Sequence, residues 1–258
     1  MPESPEVRII ATWLKERVYK EGLKGAFLEK IESHDEKIAH HSPSAQIEDI
    51  LVYGKRMAFA LKASPWLQVH LRMTGDFMLN AKKARATLHT SLGPVNFVDP
   101  RRFGTFEYIE SSKVQKGIGP DAFVSAHLAL ERVQQSKRIL KSILLDQSVL
   151  SGLGNIWVDE ALFDARLLPG RAMHSLGERE RRRLERSATR VVQAAYKALT
   201  LNMSDASHGI RWSKRSLKNE APKEARVHGR SHCPLCHGQI IKMKMAQRST
   251  WFCPSCQL

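Results

Sequence analysis

The stretch CPLCHGQIIKMKMAQRSTWFCPSC, at residues 233–256, contains every cysteine of the 258-residue chain. Cys233 and Cys236 form one C-x2-C pair, and Cys253 and Cys256 form a second pair after 16 intervening residues. This spacing is typical of one tetrahedral zinc site with four cysteine ligands. Four thiolates leave no open coordination position, so we expect a structural zinc ion that supplies folding energy to a segment too small for its own core. The alternative is two disulfides, which an intracellular chain does not favour.

The segment around these cysteines is strongly basic. The chain has 41 Lys and Arg residues against 26 Asp and Glu, a net charge of +15. Residues 211–258 hold ten of the basic residues and only two acids, Glu220 and Glu224. Such a charge indicates a polyanionic partner, either nucleic acid or an acidic membrane. The alternative is a basic protein without a partner of this kind.

Length and hydropathy restrict the class of protein further. A chain of 258 residues, 42% of them hydrophobic, can form one large or two modest domains with a real core. No run approaches the ~18 apolar residues of a membrane span. The first ten residues, MPESPEVRII, lack the basic region and apolar run of a secretory signal. We therefore expect an intracellular protein without a membrane partner, in the cytoplasm and nucleoid, or in the nucleus of a eukaryote.

Local patterns change along the chain. Ser4 and Pro5 predict the start of a helix. Short β-rich stretches follow and predict an antiparallel sandwich or barrel; they lie at 26–31, 57–62, 66–71, 87–92, 96–98 and 105–109. Helical patterns then extend over 128–146, 155–165 and from a capping box at 175–178 to about residue 199. Residues 204–230 are basic and polar, which predicts a mobile loop that faces DNA.

Four separated motifs occur in a fixed order. Met1-Pro2-Glu3 precedes the first helix, DPRRFG at 99–104 follows a strand, and GLGN at 152–155 opens a helix. The four-cysteine segment closes the chain and carries AQR at 246–248 between its cysteine pairs. Together these motifs resemble the formamidopyrimidine-DNA glycosylase / endonuclease VIII family of base-excision repair enzymes, over essentially the whole chain.

The resemblance implies an α+β fold of two domains. The first is an antiparallel β-sandwich with a leading helix, and the second is a helical domain with a helix–two-turn–helix motif and a zinc ribbon. We expect a catalytic domain over 1–117, a hinge over 118–127, the helical DNA-binding domain over 128–230 and the ribbon over 231–258. The partner implied is double-stranded DNA that contains oxidised bases or abasic sites, bound by a monomer with one structural zinc ion.

The resemblance also implies a bifunctional DNA glycosylase and AP lyase with catalytic residues Pro2, Glu3 and Lys55. Removal of Met1 would expose Pro2 as a secondary amine, and an α-amino group titrates at about 7.7–8.0, so a useful fraction is uncharged at neutral pH. Such an amine can form a Schiff base with the sugar, while Glu3 serves as general acid/base. Lys55 matches a hairpin lysine that contacts DNA phosphate; Arg56 follows it, so the assignment lies between these two residues.

Six further residues match DNA-contacting positions of the family. Lys141, Asn155 and Arg248 match phosphate-binding positions, and a helix start at Asn155 suits a phosphate oxygen. Met73, Arg101 and Phe103 match the side chains that fill the space left by a flipped nucleotide. The alternatives are ordinary: Met73 and Phe103 as core residues, and Arg101 in an ion pair with Asp99.

The preferred lesion is less well defined than the reaction. The sequence at 202–209 lacks the family's Gly-Gly-Ser/Thr-Thr-Leu stretch, which is usual in the 8-oxoguanine branch, whereas DPRRFG at 99–104 is typical of that branch. The other motifs are closer to the endonuclease VIII branch and favour oxidised pyrimidines, hydantoins and formamidopyrimidines. An 8-oxoguanine-specific glycosylase is the alternative, and a catalytically silent zinc-ribbon protein that binds damaged DNA is a second one. Pro2 and Glu3 distinguish the enzymes from that binder, which needs neither residue.

Overall fold

The computed structural model describes residues 2–38, 44–63, 65–201 and 225–258. Its first helix, α1 (Ser4–Glu16), begins one residue earlier than a cap at Ser4 predicts, because Glu3 occupies the N-cap position. The Glu6 carboxylate accepts the backbone N–H of Glu3 at 2.9 Å, while the Ser4 hydroxyl accepts a bond from Arg8 instead. The N-terminal segment is therefore fixed directly at the start of α1.

Eight antiparallel strands follow α1 and form one continuous sheet, in the order β5-β7-β6-β1-β2-β3-β4-β8. Their bounds are β1 Phe27–Ser33, β2 Ala45–Tyr53, β3 Arg56–Leu61, β4 Trp66–His70, β5 Asp76–Met78, β6 Ala86–Thr90, β7 Gly93–Val98 and β8 Thr105–Ile109. Aromatic rings join the two ends of this order: Phe77 of β5 lies 6.1 Å from Phe106 of β8, and Phe97 of β7 lies 4.8 Å from Phe106. The sheet therefore folds over its own aromatic core, as expected for a sandwich.

Two strands of this sheet were not predicted from the sequence. β5 has only three residues, too few for a pattern. In β2 the pairing with β3 shifts between Ile47 and Asp49, so a bulge interrupts the alternation of buried and exposed positions. The buried Ile47 and Ile50 then stand three residues apart, which is the spacing of a helix rather than a strand.

The chain divides into two compact units: the first comprises residues 1–116 and 199–219, and the second comprises residues 117–198 and 220–258. The described α-helices after the sheet are α2 His127–Arg132, α3 Leu140–Leu145, α4 Asn155–Asp164 and α5 Glu178–Leu201, and all but the last three residues of α5 lie in the second unit. The single helix predicted over 128–146 is wrong, because the chain between α2 and α3 pairs with another segment. The backbone of Ile139 bridges to Ala172, and Met173 N–H donates to Arg138 O at 3.0 Å.

The C-terminal ribbon consists of a two-stranded hairpin, β9 Ile241–Met245 and β10 Arg248–Phe252, between the two cysteine pairs. Its turn residues, Ala246 and Gln247, both have positive φ, 46° and 57°. Two such residues match the right-handed twist of a hairpin, and they place Arg248 beside the tip. Met1, the 202–209 stretch and most of the loop predicted over 204–230 lie outside the described residues. Within the described ranges, no helix is long and apolar enough to cross a membrane.

Candidate DNA interface and metal centre

The four cysteine sulfurs of the ribbon converge on one point. Their Sγ atoms all lie within 4.8 Å of one another, with 3.8 Å between Cys233 and Cys256 and 3.5 Å between Cys236 and Cys253. All four are free thiols, and these separations far exceed the disulfide length of about 2.05 Å. Sulfur atoms about 2.3 Å from a tetrahedral zinc ion stand about 3.8 Å apart. The cluster is thus a possible metal site with the donor set and spacing that suit zinc.

Metal binding requires thiolates, and the chain favours one at Cys233. Burial raises the pKa of the Cys233 thiol, but hydrogen bonds from the backbone N–H groups of Cys236 and Leu235 outweigh that effect and lower the pKa to about 7. Both donors belong to the turn that follows Cys233, so the loop geometry itself prepares this ligand.

Asp159 of α4 connects the ribbon to the helical part of its unit. Its Oδ1 accepts from Lys141 Nζ at 2.6 Å, while its Oδ2 lies 2.6 Å from His228 Nδ1 and 3.3 Å from the backbone N of Trp251. The neighbouring carboxylate of Glu160 accepts three successive backbone N–H groups, at 226–228, each at 2.9 Å. These two side chains therefore fix where the ribbon and its hairpin lie on α4.

Lys141 has no exposed surface in this arrangement. Its side chain and that of Asp159 are both fully buried, and Nζ also donates to Asn155 O at 3.3 Å. A direct contact between Lys141 and a DNA phosphate does not fit this placement, because a buried ammonium engaged with a carboxylate is not available at the surface. We therefore propose that Lys141 positions α3 against α4 and does not itself contact phosphate.

The other two predicted phosphate ligands of this unit are brought together. Asn155 is the first residue of α4, where backbone N–H groups lack helical partners. Its Nδ2 donates to Ser249 O at 2.8 Å, and Ser249 is the residue after the exposed Arg248. The helix start and the hairpin arginine thus form one surface that can bind an anion.

In the first unit, the N-terminal residues are held against the sheet. Pro2 is buried and the Glu3 side chain is only 2% exposed. Arg8 of α1 donates to Val52 O at 3.5 Å, and Lys15 pairs with Asp49 at 2.7 Å, so α1 packs along β2. Pro2 and Glu3 are accordingly part of the folded unit.

β2 leads directly into the turn that carries Lys55. Gly54, the first turn residue, has φ of 60°, a conformation that a two-residue hairpin turn demands and that glycine adopts without strain. Lys55 occupies the second turn position and is mostly buried. Arg56 is the first residue of β3 and donates to Lys116 O at 3.4 Å. The turn position therefore favours Lys55 over Arg56 as the hairpin contact.

His70, which pairs across the sheet with Arg56, is a candidate residue that was not predicted from the sequence. Burial, together with the positive charges of Arg72, Arg56 and Lys55, lowers the pKa of His70 to about 3. Its Nδ1 accepts the backbone N–H of Arg72 at 3.1 Å, which leaves the proton of the neutral ring on Nε2. A neutral histidine donor among three cations is suited to a phosphate. Only the register of β3 and β4 brings these residues together, so spacing in the sequence could not reveal them.

Two loops of the first unit carry the residues predicted to fill the space that a flipped nucleotide leaves in the DNA duplex. Met73 lies in the turn after β4, and Arg101 and Phe103 lie between β7 and β8. The Thr74 hydroxyl donates to Asp99 and accepts the backbone N–H of Arg101 at 3.2 Å. Asp99 also accepts Gly104 N–H at 2.7 Å. One buried threonine and one buried aspartate therefore hold both loops together.

Within the described part of the chain, Phe103 is not a core residue and Arg101 does not pair with Asp99. Phe103 is 46% exposed, and Met73 is partly exposed. The Arg101 guanidinium lies over the Phe103 ring at 5.0 Å, while Asp99 pairs with Arg85 at 2.8 Å rather than with Arg101. A solvent-accessible aromatic wedge beside an arginine is thus available on this surface.

Known proteins with the same architecture identify the family. Residues 1–106 match the sequence profile of the formamidopyrimidine-DNA glycosylase N-terminal domain, and residues 118–205 match the H2TH domain of the same enzymes. A formamidopyrimidine-DNA glycosylase of Thermus thermophilus is 34% identical over 279 residues, which cover 100% of this chain and 98% of the relative. The relative from Heliobacterium modesticaldum is 34% identical over 289 residues, and the alignment covers 100% of each chain. The chain belongs to the formamidopyrimidine-DNA glycosylase family.

Solved structures of this glycosylase family show the same fold. A complex of the Lactococcus lactis Fpg with DNA that contains an abasic site superposes with a TM-score of 0.82, at 29% identity over 99% of each chain. Another complex of the L. lactis enzyme holds DNA with an oxidised pyrimidine, at a TM-score of 0.81, 30% identity and 99% coverage of each chain. A third holds N7-benzyl-Fapy-dG DNA, at a TM-score of 0.81, 29% identity and 99% coverage of each chain. The α+β fold expected from the resemblance is confirmed.

Proposed function

We propose that this family member excises oxidised bases from DNA and then cleaves the strand at the resulting abasic site. The observation that carries the proposal is the burial of Pro2 and Glu3 at the start of α1, in the domain that matches the family's N-terminal profile. A protein that only binds DNA has no use for a fixed amine and carboxylate at this point.

In the proposed reaction, the mature Pro2 nitrogen attacks C1′ of the damaged nucleotide. The bond between C1′ and the base breaks, and the base leaves with a proton. The Pro2 nitrogen loses its own proton, the sugar ring opens, and a positively charged iminium, the Schiff base of a secondary amine, joins Pro2 to C1′. Glu3 supplies and removes protons on the deoxyribose. Loss of the C2′ proton then expels the 3′ phosphate, and loss of the C4′ proton expels the 5′ phosphate. Hydrolysis of the Schiff base releases the sugar fragment and regenerates the Pro2 amine.

We assign the contacts with DNA phosphate to one set of residues, and the filling of the space left by the flipped nucleotide to another. Lys55 in the β2–β3 turn, Asn155 at the start of α4 and Arg248 at the hairpin tip are the proposed phosphate ligands, with His70 beside Lys55. Met73, Arg101 and Phe103 are proposed to occupy the place of the flipped nucleotide. This occupation offsets an unstacking cost of a few kcal/mol.

The four cysteines are proposed to hold one structural zinc ion, since their number, spacing and free thiol state fit it. Zinc would bring the two cysteine turns together and so fix the hairpin that presents Arg248. Four thiolate ligands leave no coordination position for a substrate atom, so the zinc ion takes no part in the chemical step.

For the lesion, we propose formamidopyrimidines and oxidised pyrimidines, with 8-oxoguanine as the competing substrate. The motifs close to the endonuclease VIII branch support oxidised pyrimidines. The relatives named formamidopyrimidine-DNA glycosylase, and the L. lactis complex with an oxidised pyrimidine, support both classes. Excision rates on matched duplexes that differ only in the lesion decide between these substrates.

Borohydride reduction of the protein on abasic DNA tests the nucleophile. We expect a covalent adduct at Pro2, because reduction fixes the Schiff base. A chain whose terminus is blocked by extra residues should give none, while a Lys55→Ala variant with a free Pro2 should still be trapped. Undiminished trapping with the blocked terminus would assign the nucleophile to a lysine, and absence of trapping with both would favour the catalytically silent binder.

A further inference from the structure

The first unit contains a pocket of about 400 Å³ against the loop that carries Arg101 and Phe103. Asp99, Pro100 and Arg102 contribute the loop side of its wall. The ionisable residues of the lining come from three separate segments of the chain. They are His34, Asp35, Lys83, Arg85, Asp99 and Arg102. A concave site of this volume is in the range that small molecules occupy.

The centre of the lining is Arg85, whose side chain is only 5% exposed. Its Nε donates to Asp35 at 2.9 Å, and its Nη1 donates to Asp99 Oδ2 and to Gly104 O, both at 2.8 Å. Its Nη2 is buried and has no hydrogen-bond partner in the described part of the chain. A guanidinium has five N–H donors, and leaving buried ones unpaired is costly. Arg85 therefore brings an unsatisfied donor to the wall of the pocket.

The two carboxylates of the pocket do not accept a hydrogen bond from Arg85 Nη2. Asp99 accepts from Thr74, Arg85 and the backbone of Gly104, and Asp35 accepts from Arg85, Arg102 and the backbone of Lys37. The hydrogen bond from Arg85 is the main reason that the pKa of Asp35 falls well below its ordinary value, so this carboxylate is charged at neutral pH. Both acids are neutralised by the arginines, while Lys83 adds a further positive charge. The positive charges of the lining therefore outnumber the negative ones, and the pocket is suited to an anion.

We propose that this pocket binds a small oxyanion, a phosphate group, through Arg85 Nη2 and Lys83. A phosphate oxygen accepts charge-assisted hydrogen bonds from guanidinium and ammonium donors. The phosphate comes either as the free ion or as part of a mononucleotide. Because Asp99 and Arg102 line the pocket, the bound anion contacts the same loop that presents Phe103. The binding site itself does not depend on the reaction proposed above.

The test is a titration of the DNA-free, full-length protein, followed by the nitrogen-15 NMR signal of the Arg85 Nε–H. One arm adds inorganic phosphate and the other adds deoxyadenosine 5′-monophosphate, each at constant ionic strength. We expect a saturable shift of the Arg85 signal in both arms. Lys83→Glu should weaken the phosphate affinity about three- to tenfold, because an exposed cation is replaced by a repelling charge.

Lys82→Glu is the matched control, since the exposed neighbour changes net charge equally but does not line the pocket. It should leave the affinity at Arg85 within about twofold of wild type. An Arg85 signal that does not respond to phosphate would mean that water satisfies Nη2, and the proposal would be overturned. Equal weakening by the Lys83 and Lys82 variants would overturn it too, as would a response to the nucleotide but not to phosphate.

Discussion

Replacing Lys141 by methionine separates a role in folding from a role at DNA phosphate. Methionine keeps most of the buried stem but removes the ammonium that lies 2.6 Å from Asp159, and both side chains are fully buried. Removing one partner of a buried ion pair costs about 3–5 kcal/mol, because the other charge is left uncompensated. Asp159 retains His228 and the backbone of Trp251 as partners, so we expect the loss near the lower end, about 3 kcal/mol.

The same variant also tests whether Lys141 contacts DNA. A side chain that contacts phosphate releases counterions, and its loss lowers the slope of log affinity against log salt by about one unit. Lys141 is buried and releases none. We therefore expect Lys141→Met to leave that slope unchanged, whereas Arg248→Ala should reduce it by about one unit.

Urea unfolding and DNA affinity at several salt concentrations measure the two effects, with the affinities determined where the variant is fully folded. Lys137→Met is the matched control, since Lys137 is an exposed lysine close by in the same unit. It should change the unfolding free energy by less than about 0.5 kcal/mol. A Lys141→Met protein with unaltered stability and a slope reduced by one unit would contradict the positioning role and would show that Lys141 contacts phosphate.

Three further predictions concern the proposed catalytic, metal and wedge residues. Glu3→Gln should reduce base excision about 10²–10⁴-fold while DNA binding persists, because a positioned acid/base is lost; single-turnover excision and a binding titration check this, and a rate within a few-fold of wild type would contradict it. Cys253→Ser or a strong chelator should release zinc and abolish DNA binding while the β-sandwich stays folded, as elemental analysis and circular dichroism would show; fully active protein without zinc would be incompatible with the assignment. Phe103→Ala should slow excision of a paired lesion more than of a single-stranded one, whereas Arg248→Ala should weaken affinity for every duplex; identical profiles for the two variants would show that the roles are not separate.

The sequence could predict the elements whose signals are local. The cysteine spacing and the alternation in β4 each depend on neighbouring residues alone. The continuous helix over 128–146 was wrong because Ile139 pairs with Ala172, a contact that hydrophobic periodicity does not contain. β2 was missed because its bulge changes the period of burial. In both cases a tertiary contact overrides the local preference.

The same distinction applies to the candidate site. Motifs could point to Asn155 and Arg248 separately, but only the bond from Asn155 to Ser249 O shows that they share one surface. Lys141 stands in a helical pattern that equally suits an exposed or a buried lysine, and its burial follows from the position of Asp159, 18 residues later. His70 has no motif of its own, and it becomes a candidate only through its register with Arg56.

The DPRRFG motif at 99–104 combines buried residues that hold its loop with exposed residues that face solvent. Asp99 is buried and accepts bonds from the Gly104 backbone, from Arg85 and from Thr74, so it closes its own loop and ties it to the turn after β4. Gly104 must lack a side chain, since a Cβ there would meet Phe97 at 2.6 Å. These two residues hold the loop in one conformation, and the residues between them are thereby free to face solvent. Because Thr74 bonds both to Asp99 and to the Arg101 backbone, Met73 and Phe103 are held by a single polar network. If these side chains enter the DNA duplex as proposed, they would lose little conformational entropy on entry, which is the advantage of preorganisation in binding.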